Sequence, residues 1–390
     1  MNVLFWMSTS FQTTSRHLLI SVIEELLNAG HKITVLKKYV SGDKEELPIE
    51  LSGKGIVFIS VPIKPAKKRK LAARYFKDIE YVIKCRKYLN TKFDAVFVQS
   101  TNIAGLFFFM LQKKQQNAIK TLNVQDAFPD NAAYSGTLNR NGMLFRMFHK
   151  MQSYAYRNSD HIIVISEDIK DLVKDYGVNS YKIHVVLNWS YQDDLYSKES
   201  VNLNAVSDIF IKDKYHVVYA GNIGMMQNVD ALVNVASEMK EDNEIIFDII
   251  GNGVFKDKLQ KRANDLGLTN VRFFQMQSAD FAPAIYCSAD INIIPLGDNI
   301  FRTALPSKTA TCLACQKPII FAIGNRSKFG KWISSQTGCP VIDANNLQEW
   351  VDAIRLLKQG KITCNTEATY KKYFSKSTNS KKYVEIITSK

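Results

Sequence analysis

The sequence predicts an α/β protein made of two consecutive doubly wound domains. Three observations carry that expectation. Short apolar runs alternate with helix-periodic segments, the alternation lapses once near the middle, and 390 residues exceed what one hydrophobic core usually serves. The expected divisions are residues 1–195, residues 205–365, and a helix or tail over 366–390 that is free to cross back to the first domain.

In the first half, Val3 to Met7 is a short apolar strand followed by a polar stretch, Ser8 to Ser15. Arg16 to Asn28 then carries Leu18, Leu19, Val22, Ile23, Leu26 and Leu27 at helical spacing, and Gly30 ends the helix. Lys32–Leu36, Val57–Val61, Ala95–Gln99, Thr121–Val124 and His161–Ile165 are the next expected strands. Helical segments lie between them around Arg74–Leu89, Ile103–Leu111 and Leu144–Asn158. Ser190 to Lys214 mixes charges without strand spacing and is the expected boundary.

The alternation then restarts. Strands are expected at His216–Ala220, Ile245–Ile250, Val271–Phe274, Ile291–Ile294 and Pro318–Ala322. Helices are expected at Val229–Met239, Phe255–Leu266, Phe281–Cys287, Lys308–Cys315 and Leu347–Lys358. The basic, weakly periodic end from Lys371 to Lys390 is expected as a surface helix or a frayed tail.

Apolar and charged fractions of 46% and 23% suit a globular chain rather than a disordered one. Met1 to Ser10 has no basic segment leading into an apolar one, so no secretory signal is expected. Ala95 to Gln112 runs 18 residues without charge, but Gln99, Ser100, Thr101, Asn102 and Gly105 in its middle favour strand, loop and helix over a membrane span. The six cysteines form no dense framework, and Cys312 and Cys315 share one helix face as small apolar residues, which points to a reducing cytoplasm.

The net charge of +14 calls for a partner or a reason. Between Lys64 and Lys92 stand eleven Lys/Arg against Asp78 and Glu80. No recognisable nucleic-acid motif accompanies them, so nucleic acid is not the expected partner. An anionic membrane surface is, through Lys64, Lys67, Lys68, Arg69 and Lys70, which would place the protein on the inner face of the cell membrane. A solvated basic helix face with no partner is the alternative.

Ligands of open α/β sheets bind beyond the carboxyl ends of the strands. In the second half, Gly221-Asn222-Ile223-Gly224 and Gly251-Asn252-Gly253 both join a strand to a helix, where glycines let backbone N–H groups approach an anion. Glycine used for turn geometry alone is the competing explanation for each. The run Arg302 to Lys308 holds Pro306, Ser307 as a helix cap, and Lys308 at a helix start. A cation there opposes the helix dipole unless an anion lies between, which makes Lys308 the leading phosphate candidate. No Asp-x-Asp pair exists, so no metal and no cofactor are expected; basic side chains must neutralise a leaving diphosphate.

In the first half, Asp126 closes a strand ahead of Phe128, Pro129 and Asp130, placed for general-base or hydroxyl-orienting work or, equally, for capping a turn. Ser8, Thr9 and Ser10, with Arg16 beyond them, offer hydroxyls and a cation to a sugar or phosphate, although caps use the same residues.

At these residues the chain resembles the retaining glycosyltransferases of family 4, with the GT-B fold of two facing Rossmann-like domains and a cleft between them. The likeness runs over roughly residues 1 to 360. Arg16, Gly30-His31, the run Ser159 to Ser166 and the run Lys182 to Asn188 match in order. Gly221 to Gly224, Leu305 to Lys308 and Val124 to Asp130 are similar to one branch, the amino-sugar and L-fucosamine transferases of O-antigen and capsule assembly.

The resemblance implies a nucleotide sugar, expected as a UDP-sugar substrate, on the second domain. The donor contacts would be Gly221, Asn222, Gly224, Gly251, Asn252, Gly253, Met276, Pro306, Ser307, Lys308 and Thr311. It implies a polyprenyl-diphosphate-linked saccharide acceptor near Ser8, Thr9, Ser10, Arg16 and Asp130. Asp126, Lys308 and Arg302 would be the catalytic residues. The sequence also departs from the family. Its glutamate pair falls on Thr303 and Thr311, its diphosphate-binding cations fall near Asn222 and Gln227, and its glycine before a Lys-Pro step is Gln316. A catalytic histidine of many relatives is replaced by Gln125-Asp126.

Two competitors are distinguishable. A UDP-N-acetylhexosamine 2-epimerase shares the fold but needs further acid/base residues and turns over without an acceptor. A basic nucleic-acid-binding protein would explain the charge but not two matched glycine loops.

Overall fold

The computed structural model describes residues 1–8, 11, 16–41, 48–65 and 71–389, apart from the side chains of 71–74. It divides into two compact units. One comprises residues 1–188, 303–305 and 376–390, and the other residues 189–302 and 306–375.

The first unit is built on β1 (Asn2–Met7), β2 (Lys32–Val40), β3 (Val57–Ile63), β4 (Ala95–Gln99), β5 (Ile119–Val124), β6 (His161–Val164) and β7 (Ile183–Val185). They pair in parallel in the order β3-β2-β1-β4-β5-β6-β7. Its helices are α1 (Arg16–Asn28), α2 (Leu71–Cys85), α3 (Ala104–Lys114), α4 (Asp130–Tyr134), α5 (Met143–Arg157) and α6 (Glu167–Asp175). Parallel strands covered on both faces need continuous apolar runs, and Val3 through Met7 are all buried. Trp6 stacks between Tyr81 and Phe107, with ring centroids 5.5 and 4.1 Å away. Gly30 takes a φ of +80° after α1, a left-handed turn that glycine adopts without a Cβ clash. The uncharged run over 95–112 is β4, a turn and the start of α3. Among the described residues no helix is long and apolar enough to cross a membrane.

The second unit carries β8 (Tyr215–Ala220), β9 (Ile245–Ile250), β10 (Val271–Phe274), β11 (Ile291–Pro295) and β12 (Ile319–Ala322), ordered β10-β9-β8-β11-β12 and parallel throughout. Its helices are α7 (Asp230–Glu238), α8 (Lys256–Asp265), α9 (Ala282–Ser288), α10 (Thr309–Ala314), α11 (Lys328–Thr337), α12 (Leu347–Lys358) and α13 (Glu367–Tyr373). In each sheet the chain starts in the middle and reverses direction across it, at β1/β4 and at β8/β11, which sets where a ligand crevice opens.

The stretch 190–214, expected as the boundary, belongs with the second unit. Trp189, Ser190, Tyr196, Val206 and Ile209 are buried, and the segment packs on the second unit. The Tyr196 amide donates to Ala314 O at 3.0 Å, and Ser375 Oγ donates to Asp193 Oδ1 at 2.8 Å. Of the two forms expected of the chain's end, helix or tail, the helix is the one that forms. Residues Lys376–Thr388 form α14, which packs against α1 and β4–β6 of the first unit with Tyr383 and Ile387 buried. Helix α11 had no counterpart in the sequence pattern; Ser327 caps its start, accepting from the Gly330 amide at 3.0 Å.

Candidate functional site

At the carboxyl ends of β8 and β9 the two glycine loops interlock. Gly221 N donates to Ile250 O at 2.9 Å, Ile223 N to Asn252 O at 2.8 Å, and Phe255 N to Ile223 O at 3.2 Å. The glycines are needed for this contact. A Cβ on Gly251 would sit 1.8 Å from Gly221 O, and one on Gly253 would sit 2.2 Å from Ile223 O. This corrects part of the sequence expectation. The amides of Gly221 and Gly251 are consumed by Ile250 and Phe274 carbonyls and cannot be anion donors. Among the described residues, the amides of Asn222, Gly224 and Gly253 meet no protein acceptor.

Lys308 reaches this loop pair from the start of α10. Its Nζ donates to Ala220 O at 2.8 Å and lies 3.8 Å from the Tyr219 ring centroid, with Gly221 beside it. The Tyr219 hydroxyl in turn donates to Asn222 O. Burial pushes the Lys308 pKa down to about 8. The ammonium is thus aimed by a carbonyl and an aromatic face, with donors left over for an anion. The loop Leu296–Arg302 and the turn after β12 flank a recess of about 220 Å³ that includes Asp298, Asn299, Gly324 and Arg326.

Other donor candidates stand differently. Ser307 does not cap α10. Lys308 itself is the cap residue, no side chain closes the helix end, and Ser307 is exposed. Thr311 is buried, its hydroxyl 3.1 Å from that of Ser190, so it is structural. Pro306 O accepts from Thr309 N and Oγ1. Met276 is exposed beyond edge strand β10, and Arg302 is half-buried at the end of the β11 loop. Gln316 has a φ of +56° where the family carries glycine, and its side chain donates to Tyr196 O at 3.4 Å.

In the first unit, Asp126 follows β5 and forms an antiparallel bridge with Ala304, reinforced by Ala127 N donating to Thr303 O at 2.8 Å. Desolvation by the surrounding protein raises its carboxyl pKa. Beside it lies a network the sequence did not reveal. Asn188 Nδ2 donates to Gln125 Oε1 at 2.7 Å, Gln125 Nε2 to Asn123 Oδ1 at 3.2 Å, and the Tyr383 hydroxyl to Asn123 Oδ1 at 3.0 Å.

Asp130 is corrected from acceptor ligand to structural residue. It is buried, accepts from the Tyr176 hydroxyl, and lies 3.6 Å from Arg140. Arg16 is engaged by Glu50 at 2.8 Å, and Ser8 is buried. Thr9 and Ser10 lie outside the described residues, as do Lys67, Lys68, Arg69 and Lys70 of the basic segment; Lys64 is exposed.

Of the residues sequence reasoning missed, Tyr219 had a local signal, since period-two alternation puts it on the face of Gly221 two residues on. Tyr383 and Asn188 had none, being 260 and 65 positions away from Asn123.

Residues 17–189 match the family described as Glycosyltransferase Family 4, and residues 205–376 match Glycosyl transferases group 1. The chain belongs to this glycosyltransferase family, with the GT-B fold. It is 23% identical over 240 residues to "Probable glycosyltransferase WbjE" of Pseudomonas aeruginosa, covering 60% of this chain and 59% of that protein. It is 24% identical over 250 residues to WcaI of Escherichia coli (strain K12), a glycosyl transferase assigned provisionally to colanic acid biosynthesis, covering 63% and 61%. The matches thus span about three fifths of these curated relatives. Among solved structures, HepE of Anabaena in complex with UDP and glucose superposes with a TM-score of 0.73 at 12% identity, covering all of both chains. WaaG, a glycosyltransferase of lipopolysaccharide biosynthesis, superposes at 0.70 and 13%, also covering all of both chains.

Proposed function

We propose that the protein transfers a sugar from a UDP donor, with retention of configuration, to a polyprenyl-diphosphate-linked saccharide in the assembly of a bacterial surface polysaccharide. The observation that supports this most is Lys308. A half-buried ammonium is fixed on Ala220 O and Tyr219 at the mouth of two interlocked glycine loops, at the switch point of the second sheet. HepE was solved with UDP and glucose, and WcaI carries a name from colanic acid biosynthesis, which favours this substrate class.

In this reading the bond from the sugar's anomeric carbon to the UDP oxygen breaks as the bond to the acceptor oxygen forms. Lys308, with Arg302 and the amides of Asn222, Gly224 and Gly253, stabilises the charge gathering on UDP. Asp126 takes or orients the acceptor hydroxyl proton, and its raised pKa suits a base. An N-acetylated 6-deoxyhexosamine such as N-acetyl-L-fucosamine is the proposed sugar, on the likeness of Gly221–Gly224 and Leu305–Lys308 to that branch. The proposed place of work is the inner face of the cell membrane, held by the basic segment.

The test is a thermal-shift panel of nucleotide sugars, followed by transfer assays with and without a lipid-linked acceptor. A UDP-sugar at a hundred times its Kd should stabilise by about 2.7 kcal/mol. Failure of every UDP-sugar to shift the melting temperature, or conversion of a UDP-sugar without acceptor, overturns the reading.

A further inference from the structure

A second recess, of about 580 Å³, lies beside edge strand β3, bounded by the last turns of α2 and α3. Among the described residues four cations line it, Lys84, Arg86, Lys87 and Lys114, and no carboxylate does. Lys84 is anchored on Glu80 and Pro62 O, Lys114 on Asn90 Oδ1, and Lys87 lies 4.7 Å from the Tyr88 ring centroid. The Arg86 side chain has no ion-pair partner among the described residues. Cations at helix C-termini complement the helix dipole, which accounts for Lys84 and Lys114 in the last turns of α2 and α3, but not for Arg86 and Lys87 beyond the end of α2. Ile83 on its lining is 64% exposed, and Phe76, seven residues earlier on the same face of α2, is 69% exposed.

We propose that this recess binds the phosphate of an anionic phospholipid headgroup, with Ile83 and Phe76 seated in the interface. Four like charges converging on a volume fit for a headgroup supply charge complementarity, and two large apolar side chains kept in water beside them supply the preference for a lipid over a free anion. None of the described residues lining the recess belongs to the basic run at 64–70. It deepens the membrane-side reading above, yet its test requires no sugar transfer.

The full chain is sedimented with phosphatidylcholine vesicles, with and without phosphatidylglycerol, at physiological ionic strength. Wild type should bind only the anionic vesicles, and R86E/K87E should bind them at least about tenfold more weakly. K371E/K372E, an equal charge change on α13, should bind like wild type. Ile83→Ser should weaken binding a few-fold, and R86Q/K87Q guards against misfolding of the reversed pair. UDP-sugar binding, measured separately, should be unchanged in all four, so loss of that binding in wild type would indict the transferase reading and not this one. Wild-type vesicle binding by R86E/K87E, or equal loss in K371E/K372E, overturns the proposal. So does inorganic phosphate saturating the recess while vesicles fail to bind, which would make it a free-anion site.

Discussion

The strand ends of the two units solve the placing of a charged group in opposite ways. In the second unit the scaffold is backbone. Two glycine loops lock together through amide–carbonyl bonds, and one lysine folds onto a carbonyl at their mouth. In the first unit the scaffold around Asp126 is made of side chains and a borrowed strand, with neighbouring Gln125 joined by Asn188 and Tyr383 from two distant segments and Ala304 from a third. Backbone placement tolerates side-chain change but not a Cβ; side-chain placement tolerates a Cβ but not the loss of one hydrogen bond. Anion binding needs donors and positive charge at fixed points, which backbone supplies. A base needs a tuned pKa, which depends on surrounding protein.

That contrast can be broken at several points. The largest effect is expected from Asp126→Asn, which keeps the shape and removes the charge. Turnover should fall on the order of a hundredfold or more while UDP affinity holds, as read by steady-state kinetics and calorimetry. The raised pKa of Asp126 adds a signature. Since the carboxylate form is the base, kcat/KM should fall on the acid side at a pH above the usual carboxylate range, and Asp126→Asn should erase that limb. Equal loss of UDP affinity would move Asp126 from chemistry to donor binding.

Next in size is Lys308→Ala. Charge-assisted bonds to phosphate contribute about 1.5–3 kcal/mol, so donor affinity should drop ten- to a hundredfold with the fold intact. The protonated form binds the anion and the pKa of the free protein is about 8, so UDP affinity should be steady below that pH. It should then weaken by up to about tenfold per unit above it. A flat titration curve to pH 9 or so would remove Lys308 from the diphosphate.

The smallest effect distinguishes side-chain placement from backbone placement. Tyr383→Phe deletes one hydroxyl of the Asn123 network and should cost about 0.5–1.5 kcal/mol in thermal or urea unfolding, since Asn123 Oδ1 keeps the Gln125 bond. It should reduce turnover modestly and leave UDP binding untouched. If UDP affinity falls as far as turnover, the two strand ends are not independent.

Much of this was legible in order along the chain. Helix α1 begins and ends where its apolar period and Gly30 place it, and strand β4 keeps its expected limits, because local period and capping chemistry decide both. The glycine loops and Lys308 were also visible, since each site element is a short run at a strand end. Their roles were less so. Gly251 and Gly253 read as anion-binding glycines, but a carbonyl from another loop occupies the space of their missing Cβ atoms, and only the paired loops show it. Asp130 and Thr311 looked available for ligands until burial and the partners Tyr176 and Ser190 claimed them.

What the sequence by itself determined is the alternation of strand and helix, the parallel sheets that follow from it, and the residues bearing charge at the strand ends, because those depend on neighbours within a few positions. Only the tertiary structure decided which polar groups stay free. Sequence leaves the stretch 190–214 as a polar boundary and the chain's end as helix or tail, while the fold brings Ser190 to Thr311, Asp193 to Ser375 and Tyr383 to Asn123. The physical reason is that hydrogen bonding and desolvation are set by what lies within a few ångströms in space, and a chain that folds back over hundreds of residues leaves no local trace of that proximity.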